Sequence, residues 1–398
     1  MAEFAKLPAF DPADPLGLDD QLDAEDLAIR DTVRTWAADR VLPHVAGWFE
    51  EGELPDIRGL ARELGGIGAL GMSLTGYGCA GASAVQYGLA CLELEAADSG
   101  IRSLVSVQGS LAMYAIHSFG SEEQKQHWLP RMASGDVIGC FGLTEPDHGS
   151  DPAGMRTYAK RDGSGGDWVL NGRKMWITNG SVAGVAVVWA QTDDGIRGFV
   201  VPTDTPGFSA PEIKHKWSLR ASVTSELVLD DVRLPADAVL PEATGLRGPL
   251  GCLSHARYGI VWGAMGAARS CFEAAVDYAK TREQFGRPIG GFQLTQAKLA
   301  DMAVELHKGI LLAHHLGRRM DAGRLRPEQV SFGKLNNVRE AIDICRTART
   351  ILGANGISLE YPVMRHATNL ESVLTYEGTV EMHQLVLGKA LTGLDAFR

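Results

Sequence analysis

A single carboxylate near the end of the chain has neighbours that suit proton transfer. Glu377 lies between an aromatic residue, Tyr376, and a glycine, Gly378. Glycine has no Cβ, so a ligand can approach the backbone closely at that point. Val373 and Tyr376 would keep water from the carboxylate, which raises its pKa and suits a general base near neutral pH. The alternative is that Glu377 starts the following helix and interacts with the positive end of the helix dipole.

An arginine in the first third of the chain could recognise an anion. Arg102 precedes an apolar run, and Glu95 lies seven positions earlier, about two turns away if one helix spans both. A guanidinium can bind a carboxylate through two parallel hydrogen bonds. The alternative is an ion pair at a helix end that has no ligand.

Two segments in the middle of the chain could hold a planar ligand. The run from Phe141 to Asp151 has hydroxyls at Thr144 and Ser150 and glycines that expose backbone N–H groups, which can bind a heterocycle or a diphosphate. In Trp176-Ile177-Thr178 the indole and the hydroxyl would share one face of a strand, because side chains alternate. The first segment could equally be a turn, and the indole could fill the core.

Two other patterns favour no ligand site. Gly66 to Gly71 matches the dinucleotide-binding spacing, but the preceding run, Ile57 to Leu64, is typical of a helix rather than of the required strand. The adjacent pair His314-His315 would point in two directions from a helix and is expected on a solvated face. No spacing typical of metal ligands surrounds the pair, so no metal site is predicted.

The composition limits the partners and the compartment. The chain has 398 residues and a net charge of −11, which argues against nucleic acid and anionic membranes but permits a small phosphate-bearing ligand. Six cysteines without a Cys-x-x-Cys pair indicate reduced thiols. No apolar run reaches membrane-spanning length, and residues 1–15 are acidic and contain prolines, unlike a signal peptide. A cytoplasmic protein is expected.

The periodicity divides the chain into a helical block over residues 1–136, a β block over 137–246 and a second helical block over 247–398. Asp23 and Ser121 are suited to cap helices in the first block, and another helix is predicted from Ser83 to Asp98. Asn171-Gly172 predicts a tight hairpin turn between two strands of the β block. The long helices predicted for the last block, which suggest a bundle, are 254–281, 293–322 and 327–352.

Several ordered motifs give the chain a family resemblance over nearly its whole length beyond the first ten or so residues. The chain resembles the acyl-CoA dehydrogenases, which implies an α+β fold with an N-terminal helical domain, a middle β-barrel or sandwich domain and a C-terminal four-helix bundle. The motifs are Asp98 to Ser103, Gly139 to Pro146, Trp176 to Asn179, Ser218 to Ser222, Ala256 to Ile260, Gln284 to Gly286, Leu352 to Ile357 and Thr375 to Thr379.

The resemblance implies FAD as cofactor and a homotetramer. Residues expected at the FAD are Phe141, Leu143, Thr144, Gly149, Ser150, Trp176, Ile177, Thr178, Leu352 and Thr379. Residues expected to reach the FAD of a neighbouring subunit are Arg282, Phe285, Gln293 and Gly353. The electrons would leave through an electron-transfer flavoprotein.

The resemblance also implies the reaction. Glu377 would remove the α-proton of an acyl-CoA while the β-hydride passes to the flavin, and the amide N–H of Glu377 would bind the thioester oxygen. Residues expected to contact the CoA thioester arm or the substrate near the base are Ser150, Arg257, Tyr258, Tyr376 and Gly378.

Arg102, with Glu95, Ser103 and Ser106 nearby, resembles the members that oxidise glutaryl-CoA and decarboxylate the product to crotonyl-CoA. The alternatives are a short-chain acyl-CoA dehydrogenase, an oxidase that passes electrons to O2, or a flavin-free scaffold of the same fold.

Overall fold

The chain folds into three consecutive blocks, helical, β and helical, in the order that the sequence predicts. The structure is a computed structural model that describes residues 10–163 and 166–396, so the first nine residues of the predicted N-terminal domain lie outside it. Within the described residues, no helix combines the length and the apolar character needed to cross a membrane.

Polar side chains cap the N-termini of helices in the first block. The Asp23 carboxylate accepts the N–H groups of Glu25 and Asp26, and Ser83 and Ser121 each form a reciprocal capping box with the glutamine three residues later. The helices are α1 (Ala24–Arg40), α2 (Val45–Glu51), α3 (Ile57–Gly66), α4 (Ala84–Ala97), α5 (Ser99–Ser106), α6 (Tyr114–Phe119) and α7 (Glu122–Ala133). Since α3 is a helix, the glycines after it do not follow a strand, and the dinucleotide motif has no structural support.

A π-helical turn, Val107–Met113, joins α5 to α6 into one continuous helical run. Within it, the Gln108 side chain is buried and donates to the carbonyl oxygens of Met132 (2.9 Å) and Val137 (2.8 Å). Its Oε1 accepts the N–H of Gly139 at 2.6 Å. The run that contains Arg102 is thereby attached to the first strand of the β block.

The β block is one twisted sheet with strand order β1-β4-β2-β3-β7-β6, in which β5 also pairs with β4. Strands β1 and β2 run parallel to β4, and the other pairs are antiparallel. The strands are β1 (Gly139–Gly142), β2 (Tyr158–Asp162), β3 (Asp167–Thr178), β4 (Val185–Thr192), β5 (Gly195–Pro202), β6 (Phe208–Ser209) and β7 (Thr224–Leu234).

The hairpin predicted at Asn171-Gly172 is wrong, because both residues lie inside the single strand β3. The Asn171 side chain exchanges two hydrogen bonds with Asp231 of β7, at 2.9 and 3.0 Å, where the strand register shifts. At Gly172 a Cβ would lie 2.5 Å from the Thr157 hydroxyl oxygen. The pair therefore marks a bulge and a close approach of strands.

The long helices of the last block match the prediction except at one end. α8 begins at Arg247, seven residues before the predicted start, and it packs against α4 and α10. The expectation for His314 is wrong, because its ring is buried edge-on against Trp262 of α8; only His315 is exposed. The elements are α8 (Arg247–Thr281), β8 (Glu283–Gln284), β9 (Arg287–Pro288), α9 (Gln293–Asp321), α10 (Pro327–Leu352), α11 (Val363–Thr375) and α12 (Val380–Thr392).

Candidate active site

Glu377 lies in the tight turn between α11 and α12. Its φ of +53° is in the left-handed region, and Gly378 follows at +102°. The cap of α12 is Thr379, whose hydroxyl accepts the N–H of Met382 at 3.4 Å. Glu377 therefore lies two residues before the N-cap of α12, and the alternative reading of a helix-start residue does not describe it.

The Glu377 carboxylate is in a dry environment. Its Oε2 is inaccessible and has no hydrogen-bond partner among the described residues. Burial raises the pKa of Glu377, and the positive charges of Arg102, Lys334 and Arg257 oppose that rise, in decreasing order. A carboxylate with a raised pKa and a free oxygen has the properties of a general base.

Arg102 is fully buried beside this turn. Its Nε donates to Glu95 at 2.7 Å, and its Nη2 donates to the Tyr376 hydroxyl, one residue before Glu377. Glu95 fits there because α8 has a glycine at position 263, where a Cβ would lie 2.0 Å from a Glu95 oxygen. The ion-pair reading of Arg102 is thus correct for Nε, while Nη1 has no hydrogen-bond partner among the described residues.

Residues bonded to Arg102, or one helical turn away from it, have buried polar atoms without partners among the described residues. Within the described chain, Ser106 Oγ and Glu95 Oε1 are buried without a hydrogen-bond partner, and Ser103 Oγ lies 3.5 Å from the Tyr376 hydroxyl. Buried polar atoms are nearly always satisfied in folded proteins, by water or by a ligand if not by protein. The arrangement around Arg102 is therefore suited to a polar group of a ligand.

A third cation, Lys334 of α10, is absent from the residues that the motifs single out. It is 2% exposed, and its ammonium donates to the carbonyl oxygens of Gly378, at 2.6 Å, and of Tyr376. One signal in the sequence could have found it. Lys334 lies four residues from both Val330 and Val338, so it belongs to the buried stripe of its helix.

Arg257 and Tyr258 are neighbours in α8 with different surroundings. Arg257 is half-buried, and its Nε donates to the carbonyl oxygen of Glu377 at 2.6 Å. Tyr258 is fully buried: its hydroxyl donates to Ala84 O at 2.7 Å and accepts the indole N–H of Trp262 at 2.9 Å. The structure brings Arg257 to the turn, and it places the Tyr258 hydroxyl in the core between α8 and α4.

The two segments expected to hold a planar ligand are adjacent. The N–H of Met175 donates to Thr144 O at 2.8 Å, which places the end of β1 beside the end of β3. Trp176 has a φ of +62° and is 59% exposed, so it does not fill the core, whereas Ile177 is buried and Thr178 is half-buried. Phe141 and Leu143 are buried beneath them.

A buried ion pair supports the loop after β1. The Lys174 ammonium donates to Glu145 at 2.8 Å and to Leu143 O at 3.1 Å. Burial opposes ionisation of Glu145, but hydrogen bonds from the Arg156 N–H, Lys174 and Thr157 outweigh it and lower its pKa to about 2. The predicted residues Gly149 and Ser150 lie further along this loop and are exposed.

A buried network joins the segment of Arg102 to α11, the helix that precedes the Glu377 turn. Asp98 caps α5 by accepting the Gly100 N–H at 2.7 Å, and it also accepts bonds from Arg365 and Asn369 of α11. Asn369 in turn accepts the N–H of Leu219, in the loop before β7, at 2.8 Å. Since β7 pairs with β3 at Ile177 and Thr178, this network links α5 and α11 to the loop that leads into the strand beside the Trp176 segment.

The remaining predicted residues lie at the far end of the helical block. Arg282, Phe285, Gln293 and Gly353 are exposed, Phe285 to 94%, and Leu352 is buried. The structure does not bring this group to the Glu377 turn of the same chain, in keeping with the prediction that it serves a neighbouring subunit.

Comparison with known proteins gives matches in all three blocks. Models for the N-terminal, middle and C-terminal domains of acyl-CoA dehydrogenase match residues 23–136, 140–232 and 243–392. The human mitochondrial short-chain specific acyl-CoA dehydrogenase is 39% identical over 297 residues, which are 73% of this chain and 71% of that protein.

Two solved structures from Mycobacterium smegmatis are more similar still. A glutaryl-CoA dehydrogenase is 73% identical, with a TM-score of 0.95 over 97% of this chain and 99% of the other. A glutaryl-CoA dehydrogenase in complex with FADH2 is 64% identical, with a TM-score of 0.96 over 98% and 100%. With these matches across all three blocks, the chain belongs to the acyl-CoA dehydrogenase family.

Proposed function

We propose that this protein oxidises glutaryl-CoA with FAD and decarboxylates the product to crotonyl-CoA and CO2. The observation that supports this most directly is Tyr376, whose hydroxyl is bound to Arg102 while the next residue is Glu377. A base and a buried cation are thus held together by one residue, as a substrate with a reactive α-carbon and a distal carboxylate requires. The glutaryl-CoA dehydrogenases of Mycobacterium smegmatis support the same assignment.

The residues at the junction of β1 and β3 fit a flavin. Trp176 offers a large exposed aromatic face, Thr144 and Thr178 offer partly accessible hydroxyls, and the bond from Met175 to Thr144 keeps the two segments together. A flat aromatic surface beside hydrogen-bonding groups suits a planar ring system. When bound, FAD supplies the acceptor for the β-hydride.

Glu377 would remove the α-proton of the thioester. Its pKa is raised toward neutral pH, which makes the carboxylate a stronger base than an exposed glutamate. Its unpartnered Oε2 is free to receive the proton. The amide N–H of Glu377 makes no hydrogen bond within the described chain and can donate to the thioester oxygen. Such a donor stabilises the enolate-like charge that develops as the proton leaves.

Arg102 would bind the distal carboxylate of the substrate through Nη1. A buried carboxylate next to this guanidinium is compensated, whereas an apolar acyl tail would leave Nη1 and Ser106 Oγ without partners. After oxidation, cleavage of the bond to the carboxylate releases CO2 and leaves its electron pair in a dienolate. The proton held by Glu377 then returns to that dienolate to give crotonyl-CoA.

We further propose a homotetramer, an electron-transfer flavoprotein as the electron acceptor, and a cytoplasmic location. Exposed apolar residues around the α8–α9 connection, Phe285 and Leu294, support subunit contacts there. The six cysteines are free thiols, which suits a reducing compartment.

The second candidate is short-chain acyl-CoA oxidation without decarboxylation, which the 39% identity to the human short-chain enzyme supports. Anaerobic mixing of the purified flavoprotein with glutaryl-CoA and with butyryl-CoA separates the two. We expect glutaryl-CoA to bleach the flavin absorbance and, with an electron acceptor present, to release one CO2 for each crotonyl-CoA formed. Bleaching by butyryl-CoA alone, or an oxidised product that retains its carboxylate, would support the second candidate.

A further inference from the structure

Cations hold three consecutive carbonyl groups at the candidate base. The ammonium of Lys334 donates to the carbonyl oxygens of Tyr376 and Gly378, and Nε of Arg257 donates to the carbonyl oxygen of Glu377 between them. All three acceptors of the turn therefore point toward positively charged groups of α8 and α10. The amide N–H and one carboxylate oxygen of Glu377 keep no partner within the described residues.

The turn needs this support because Glu377 has a positive φ of +53°. A side chain with a Cβ is strained in the left-handed region and stays there only where its surroundings fix it. Glycine at position 378 permits the close approach of His383, whose Nε2 would lie 2.9 Å from an added Cβ. Lys334 bonds to the residues on both sides of Glu377, so it spans the strained position.

Lys334 has no carboxylate among its hydrogen-bond partners in the described chain, although it is buried. The ionisable groups that face it are Glu377, Arg257 and Arg102, with the neutral ring of His383 and the Tyr376 hydroxyl beside them. Burial lowers the pKa of the Lys334 ammonium, and Glu377 is the group that opposes this. The lysine and the candidate base therefore depend on each other for charge compensation.

We propose that Lys334 is a positioning residue for the dehydrogenation, which bonds the carbonyls on either side of Glu377 and so holds that residue in the left-handed turn. This inference rests on the proposed role of Glu377 as the base. It assigns a function to a buried lysine that lies outside the family motifs.

Two variants separate the hydrogen bonds from the charge. Lys334→Met removes both, and Lys334→Gln keeps an amide donor for one of the carbonyls but removes the charge. The matched control is Lys160→Met, which changes an exposed lysine of β2. Each holoenzyme is assayed with glutaryl-CoA and an artificial electron acceptor across pH 5 to 9, and its flavin content is measured.

We expect Lys334→Met to lower kcat by at least about tenfold with a smaller change in KM, because the base is misplaced rather than the substrate lost. In both Lys334 variants the acidic limb of the kcat/KM profile should move to higher pH, since loss of a nearby positive charge raises the pKa of Glu377. Lys334→Gln should retain more of kcat than Lys334→Met. Wild-type kcat with an unmoved acidic limb in both variants would overturn the proposal.

A readout without turnover keeps the inference separate from the proposed function. Crystal structures of Lys334→Met and Lys334→Gln should show residue 377 leaving the left-handed region in the methionine variant and staying nearer to it in the glutamine variant. If wild-type enzyme does not oxidise glutaryl-CoA but the turn moves as expected, the substrate assignment fails and the positioning role stands. An unmoved turn in a folded Lys334→Met variant would overturn the positioning role whatever the substrate.

Discussion

At the scale of single residues, Tyr376 links the two groups that the chemistry needs. Its hydroxyl bonds Arg102 and its carbonyl bonds Lys334, so both ends of the residue are held by cations. Burial raises the pKa of the Tyr376 hydroxyl, and Arg102 opposes this. The phenol therefore stays neutral and can donate its own hydrogen while it accepts one from Arg102. Replacing either cation would disturb the turn that contains Glu377.

Arg102→Met should remove glutaryl-CoA turnover selectively. Loss of the partner for a buried carboxylate costs about 3–5 kcal/mol, which corresponds to at least a hundredfold lower kcat/KM. Butyryl-CoA has no distal carboxylate, so its kcat/KM should fall much less or rise. Steady-state kinetics with both substrates measure the difference.

The single variant also leaves Glu95 buried without its cation, which destabilises the fold. The double variant Arg102→Met/Glu95→Met controls for this, because it removes both charges. It should recover thermal stability while glutaryl-CoA turnover stays low. Glutaryl-CoA kinetics equal to wild type in the double variant would show that the arginine serves the fold alone.

At the scale of elements, two buried polar networks hold segments of the candidate site together, one among the helices and one within the β block. Asp98 ties α5 to α11, and Glu145 ties the loop after β1 to β3. Each network ends at a segment of the candidate site. Replacing one partner of such a network costs more folding free energy than the lost contact alone, because the other charge is left buried.

Glu145→Gln should lower the free energy of unfolding at neutral pH. It should also make that free energy less dependent on pH in the acidic range. The folded-state pKa of Glu145 is about 2, below its ordinary value of 4.5, so its contribution is present above pH 4.5 and is lost as pH falls toward 2. Urea unfolding at pH 7 should show a loss of roughly 3 kcal/mol, because Lys174 stays buried without its partner.

The acid dependence distinguishes this pair from surface charges. Between pH 5 and 3 the wild-type unfolding midpoint should fall more steeply than that of Glu145→Gln. The control is Glu371→Gln, whose partner Arg346 is exposed; it should cost less than about 1 kcal/mol. Parallel pH profiles for wild type and Glu145→Gln would contradict the assignment of acid sensitivity to this carboxylate.

At the scale of the whole molecule, local signals predicted the elements, and the errors fall where distant residues meet. Asp23, Ser83 and Ser121 cap helices through bonds to residues two or three positions away, which a short window contains. Asn171 bonds Asp231, 60 positions away. The residues that look like a hairpin turn in the sequence therefore form a bulge inside β3. Lys334 bonds carbonyls 42 and 44 positions away, and no residue near it in the chain indicates those partners.

The motif residues show the same division. Arg102 and Glu95 lie seven positions apart on consecutive helices, and the predicted pairing was available from the sequence. Tyr258 stands next to Arg257, yet one side chain reaches the turn and the other the core. Adjacent positions on a helix differ by about 100° in direction, so a motif alone does not tell which of two neighbours faces the ligand.

Phe285→Ser should weaken both subunit association and flavin retention. Phe285 is 94% exposed and has a φ of +53°, so the isolated chain has both an unburied ring and a strained backbone at this position. The proposed tetramer explains this combination, because a neighbouring subunit could cover the ring and recover the cost. Sedimentation velocity and the FAD-to-protein absorbance ratio measure the two effects.

The control is Leu42→Ser, which removes an exposed apolar side chain of the N-terminal block, 50% exposed and outside the predicted flavin residues. Leu42→Ser should leave the oligomer and the flavin content unchanged. Phe285→Ser should shift the population toward smaller species as the protein is diluted and lose FAD in parallel, since the predicted contact with the neighbouring cofactor requires both subunits. A variant that keeps the wild-type sedimentation profile and full flavin content would show that Phe285 lies outside the subunit contact.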